Sequence, residues 1–158
     1  NMNSVDLNGL ASKLRADVKS SIEKKVFKIC EEALRKSVMM TVYSGKPVMY
    51  DRTYELLRAV SIDNVNVGHS QATFEIIIDP NKMGLYPSTK DSWGKHQGLS
   101  GQDFREGLIV ALDQGSSSPM YSHPAHGFFD KASDGLEIKI VKAMATDLKA
   151  NGWDVTFI

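Results

Sequence analysis

Tyr43-Ser44-Gly45-Lys46-Pro47-Val48-Met49-Tyr50-Asp51-Arg52-Thr53-Tyr54-Glu55-Leu56-Leu57-Arg58-Ala59-Val60 is where the sequence changes period. A long helical pattern runs into this stretch and two strand patterns follow it. Gly45 offers a left-handed helix cap, and Pro47, lacking an N–H, cannot continue a helix, so together they predict a stop. Asp51 has the short polar side chain that caps helix N-termini, which predicts a second, short helix through Leu57.

Upstream, apolar residues recur at Leu7, Leu10, Leu14, Val18, Ile22, Val26, Ile29, Ala33, Leu34, Val38 and Val42. Steps of three and four define a helix with one apolar stripe. Gly9 weakens the first turn, so the firm start is placed near Leu10 and the helix is expected over 10–43. About 33 residues at 1.5 Å rise make a rod of roughly 50 Å. A compact domain of this length has a radius of gyration of only about 15 Å. Such a rod either bends or leaves a free end for another chain, and a stripe that continues to the end of the rod favours the second. Cys30, the single cysteine, lies inside the pattern beside Ile29. It reads as a small, partly buried hydrophobe that forms no intrachain disulfide.

Downstream, 57–67 and 72–79 are predicted strands joined around Gly68-His69-Ser70, the second alternating Thr73, Glu75 and Ile77 with Phe74, Ile76 and Ile78. Residues 80–103 are rich in Gly, Pro, Ser, Asn and Lys and are expected to form a long loop, a type of segment that is functional or orders on binding. Residues 104–112 read as a short helix or an apolar strand, and Asp103 as a cap with Glu106 three residues on favours the helix. A second loop is expected at 115–127. A continuous amphipathic helix is expected over 128–151, with Gly135 a mild internal weakness, and a final strand over 153–158, alternating Trp153, Val155 and Phe157 with Asp154 and Thr156. The fold class is α+β in a single domain, 1–158. Two principal helices, 10–43 and 128–151, are expected to pack on one face of a small, mostly antiparallel sheet made from 57–67, 72–79 and 153–157. Phe74, Ile76, Ile78, Val155 and Phe157 are the candidate core.

The 158 residues suffice to bury a real core, and 42% apolar with 24% charged residues is ordinary globular composition. The formal net charge of zero argues against a protein that lives on non-specific phosphate contacts. It conceals an asymmetry. Residues 1–60 carry eleven Lys and Arg against seven Asp and Glu, and the remainder eight against twelve, a split of +4 and −4. The split is either chance on solvated faces or the mark of a polar subunit whose ends attract each other in a ring. No run of about 18 apolar residues predicts a membrane span, and no basic-then-apolar segment predicts an export signal, so a cytoplasm-like setting is expected.

Candidate chemistry is thin. His123-Pro124-Ala125-His126 places two imidazoles three residues apart, a spacing zinc accepts, but further ligands would have to come from the scattered His69, His96, Asp130 or Asp134. Gly115-Ser116-Ser117-Ser118-Pro119 lacks the elbow of a serine nucleophile. Gly94, Gly98 and Gly101 are spaced too widely for a phosphate loop. The expectation is therefore no catalytic residue, no cofactor and no metal. Lys24, Lys25, Lys28, Arg35 and Lys36 form a basic stretch interleaved with Glu23, Glu31 and Glu32. It is either a solvated face with i, i+4 pairs or a surface that meets DNA.

The order of long helix, Pro-containing turn, Tyr50-Asp51-Arg52-Thr53, short helix and hairpin resembles the neck and tail-completion proteins of tailed bacteriophages. In that family the same region often reads Tyr, Pro, Tyr-x-Arg-Thr-x-x-Leu. Before the last helix the family often has Arg-Pro-Phe, whereas this chain has Ala125-His126-Gly127-Phe128-Phe129. The resemblance implies a structural virion protein and no enzyme, a ring that in this family is generally six-fold, and a place between connector or stopper and the tail terminator or tail tube. Adaptor, stopper, tail completion and tail terminator are neighbouring roles with similar small folds. A passing contact with DNA in the lumen goes with such a place, and no membrane does. The candidate subunit interface is Leu10, Leu14 and Val18 on the first helix with Tyr50 and Arg52 of the motif. Tyr50 and Thr53 either fix the short helix on the long one, with Arg52 paired to a carboxylate, or Arg52 bridges to a neighbouring subunit. The competing possibility is a small metal enzyme built on His123 and His126.

Overall fold

The computed structural model describes residues 6–45, 54–83, 101–118 and 121–157. The first helix starts one turn earlier than its glycine suggests. Asp6 caps it, its Oδ1 accepting the Gly9 N–H at 3.0 Å, while the Asp6 carbonyl accepts from Leu10 N at 3.0 Å. A Cβ at Gly9 would stand 2.5 Å from Asp6 Oδ2, so this glycine makes room for the cap. Helix α1 spans Leu7–Ser21, a π-helical turn spans Ile22–Val26, and α2 spans Phe27–Thr41. In the π turn Phe27 N–H bonds Ile22 O, five residues back.

The π turn has a sequence cause. From Leu14 the apolar row advances strictly by fours, through Val18, Ile22 and Val26 to Cys30. Each step of four carries a straight α-helix round by about 40°, so four steps drift roughly 160°. One residue accommodated in a wide turn sets the row back by about 100°. Ile22, Val26 and Cys30 are thereby all buried.

After α2, Tyr43 N–H reaches back to Val38 O at 3.2 Å, and Gly45 is not left-handed; the predicted glycine cap is replaced by this wide closing turn. Pro47 and Asp51 lie outside the described residues. The short helix α3 spans Glu55–Arg58 and is preceded by Tyr54 at φ 55°. Strands β1, Val60–Val67, and β2, Ala72–Ile78, form the expected hairpin, closed by Gly68 N–H to Gln71 O at 2.9 Å. A 3-10 turn at Pro80–Lys82 follows, and α4 covers Gly101–Gln114.

Several expectations are corrected. The segment 115–127 is not all loop: β3, Ser116–Ser118, pairs antiparallel with β4, Tyr121–His123. The last helix is two helices, α5 at Phe128–Ser133 and α6 at Leu136–Ala150, separated at Gly135 with φ 65°. Residues 153–157 form no strand, Phe157 is exposed, and Val155 is half-buried. With its long N-terminal helical run, small antiparallel sheet and C-terminal helix, the protein is α+β as predicted.

The chain divides into two compact units. Unit one comprises Asn1–Glu32, Ile62–Ile77 and Gly135–Ile158. In it α6 packs against α1 and the π turn, and Ser21, Ile22, Val26, Cys30, Ala145 and Leu148 are buried. Unit two comprises Ala33–Ser61 and Ile78–Asp134. Its core holds Leu34, Val38, Leu56, Ile78, Leu112 and the fully buried Phe128, whose carbonyl accepts from Ser37 Oγ at 2.7 Å. Asp113 caps α5 from a distance in sequence, its Oδ1 taking the Phe129 N–H at 3.2 Å and its carbonyl the Gly127 N–H at 2.8 Å. Arg105 fastens the 3-10 turn by donating to Pro80 O at 2.6 Å and Met83 O at 2.7 Å.

Candidate assembly surface

In unit one the apolar stripe of the first helix divides into an exposed and a buried part. Leu7 is 70% exposed, Leu10 47% and Leu14 38%, and Val18 is half-buried; Ile22 and Val26 are at 1% and 0%. A helix needs no leucines at positions that face only water. Three on the arc that continues the buried row form an apolar surface that no described residue covers fully.

The flanks of that surface are fixed by two polar contacts. On one side Trp153 Nε1–H donates to Asp17 Oδ2 at 2.8 Å, and Lys13 Nζ sits 5.3 Å from the indole centroid. Lys13 also lies 4.0 Å from Asp17. On the other side Arg15 Nη1 is 3.2 Å from His69 Nδ1 at the hairpin tip. A guanidinium only donates, so His69 Nδ1 is the acceptor here. Residues 15 and 17 project roughly 200° apart on a helix. The hairpin tip and the residue that begins the C-terminal segment therefore stand on opposite flanks of α1, with the leucines on the arc between them.

Leu10, Leu14 and Val18 are thus brought together on one surface, whereas Tyr50 and Arg52 lie outside the described residues. Residue spacing carries no hint that Asp17, Trp153, Arg15 and His69 frame it, because the partners of each pair are far apart along the chain. Further exposed apolar side chains in unit two were also missed: Met39 at 44%, Met40 at 66% and Tyr54 at 43%, the last with its ring tilted at 50° to that of Tyr43, centroids 4.8 Å apart. The two methionines lie off the four-residue row, which is the signal that could have found them.

The histidine pair is not assembled into a centre by the described residues. His126 gives its N–H to the carbonyls of Leu112 and Asp113, and its own carbonyl accepts from Lys131 Nζ at 3.0 Å. Among the described residues no three His, Cys, Asp or Glu side chains gather as a metal site would require, and no helix is long and apolar enough to cross a membrane. Burial raises the thiol pKa of Cys30 above its ordinary value.

The sequence profile of the YomN family matches residues 6–150. No curated protein sequence and no solved structure matches the chain significantly. The match spans most of the chain, which therefore belongs to the YomN family, a family associated with bacteriophages.

Proposed function

From membership of this family, we propose that the chain is a structural virion protein and no enzyme, a subunit that self-associates into a ring at the phage head–tail junction. The observation that carries the proposal is the exposed run Leu7, Leu10 and Leu14 on the same row as the buried Ile22 and Val26. Its partners are further copies of itself, the connector or stopper on one side and the tail terminator or tail tube on the other. Six copies and the tail-completion role follow from the resemblance in the Tyr50–Thr53 motif; a tail terminator ring is the neighbouring alternative. Immunogold labelling of purified particles tests the assignment. Label at the junction of head and tail is expected. Particles without the protein, or label confined to the distal tail, would overturn it.

A further inference from the structure

Two features of unit one lack a partner of their own kind. The β1–β2 hairpin is a sheet of two strands, so among the described residues each strand keeps one edge that no other strand pairs. Residues 153–157 alternate like a strand yet form none, and among the described residues only the Trp153 amide of this segment makes a backbone bond, to Leu148 O at 3.1 Å.

The two free edges differ. β1 is kinked at Asn64, at φ 50°, whose N–H is taken by Asp63 Oδ1 at 2.8 Å. Such a kink is one way a sheet edge avoids pairing. β2, Ala72–Ile78, has no positive φ, no proline and no lysine. Its edge is a regular row of N–H and C=O groups, the template that strand addition uses.

We propose that residues 153–157 of one copy add as a strand to the free edge of β2 in a second copy. Within one copy the pairing is obstructed. Trp153 is held at Asp17 and the hairpin tip at Arg15, on opposite flanks of a helix about 10 Å across, whereas paired strands stand about 4.8 Å apart. Between copies that obstacle is gone. The side chains match as well: Val155 and Phe157 extend the half-buried face of Phe74 and Ile76, while Asp154 and Thr156 fall beside Thr73 and Glu75. Donor and acceptor are different surfaces of the same chain, so the contact is heterologous and repeats from copy to copy. The proposal rests on the self-association proposed above, but neither on the neck position nor on the leucine surface.

Val155→Pro tests it, since proline has no N–H to give a neighbouring strand. Native mass spectrometry and sedimentation should show association weakened by about tenfold or more, while Val155→Thr associates like the unaltered chain. The melting temperature of the Val155→Pro monomer should stay unchanged, because the Val155 N–H makes no backbone bond among the described residues of its own copy. Amides 154–157 should exchange slowly in the assembly and fast in the unaltered chain diluted to monomer. A Val155→Pro chain that assembles normally would overturn strand addition and leave the leucine surface standing. An unaltered chain that stays monomeric at every concentration would overturn both.

Discussion

Asp6 and Gly9 show how a residue read as a weakness serves its neighbour. Glycine in a helix costs about 1 kcal/mol against alanine, and a carboxylate cap contributes about as much. Asp6→Ala should therefore lower stability by about 1 kcal/mol in urea denaturation. Gly9→Ala should come out near neutral, because the gain in helix propensity is offset by a methyl that displaces the capping carboxylate. Ser21 is the opposite case. Its hydroxyl is buried without a hydrogen-bond partner. Ser21→Ala should raise stability by about 1 kcal/mol in the same assay, since a buried unsatisfied hydroxyl carries a desolvation penalty and alanine carries none. Cys30 has its thiol pKa raised by burial. The folded state then holds the thiol proton more tightly than the unfolded chain. This contribution is fully present below the ordinary thiol pKa and is lost as the pH rises through the folded value. A thiol reagent should accordingly label Cys30 slowly in the native protein and rapidly in denaturant. The burial of Cys30 was legible from its place in the helical pattern, whereas the cap needed the Asp6–Gly9 geometry and the burial of Ser21 needed the packing of the helices.

At the scale of elements, whatever follows from period was legible. The long helical run and the hairpin appear where apolar spacing placed them, except that β1 starts at Val60 because Leu57 and Arg58 belong to α3. A helix covers 104–112 as well, but it starts at Gly101, so Asp103 lies inside it and not at its cap position. What failed did so for identifiable reasons. Alternation at 153–157 reports an extended, half-buried habit, and pairing depends on where an edge is; Trp153 is instead captured by Asp17. Gly135 at φ 65° breaks the last helix because a left-handed residue cannot be helical, and position alone does not reveal the angle. The β3–β4 hairpin was hidden because a serine run carries no apolar alternation. The assembly surface was half legible: the stripe marks Leu10, Leu14 and Val18, whereas their exposure depends on what covers them. The π turn offers a test at this scale. Deleting Lys24 should turn it into ordinary α-helix and keep α1 in register with the row that follows, because the wide turn already absorbs one residue. Helix content by circular dichroism and the Trp153 emission, set by its bond to Asp17, should both be kept. A shifted emission spectrum would mean that the wide turn does more than absorb one residue.

For the whole molecule, the surface proposed for assembly can be separated from the residues that hold the fold. Leu14→Asp with Val18→Asp places unpaired charges on the exposed row and should abolish ring formation in native mass spectrometry, while the monomer still melts cooperatively. The same change at Ile76 and Ile78 should cost the fold more, because Ile78 is buried. Normal incorporation of the Leu14/Val18 variant into particles would rule out that surface as the contact. The division into units has a consequence for biosynthesis. The chain passes from unit one to unit two after Glu32, returns after Ser61, leaves again after Ile77 and returns after Asp134. Neither unit is a continuous stretch of sequence, so neither can be expressed alone by trimming the chain. A ribosome that has finished α4 has still not supplied α6, the helix that packs on the turn carrying Ile22 and Val26. The first helix is thus translated early and completed last. Growing chains on one messenger would share sticky, unfinished helices, and a chaperone that holds the nascent N-terminus would find its binding site there.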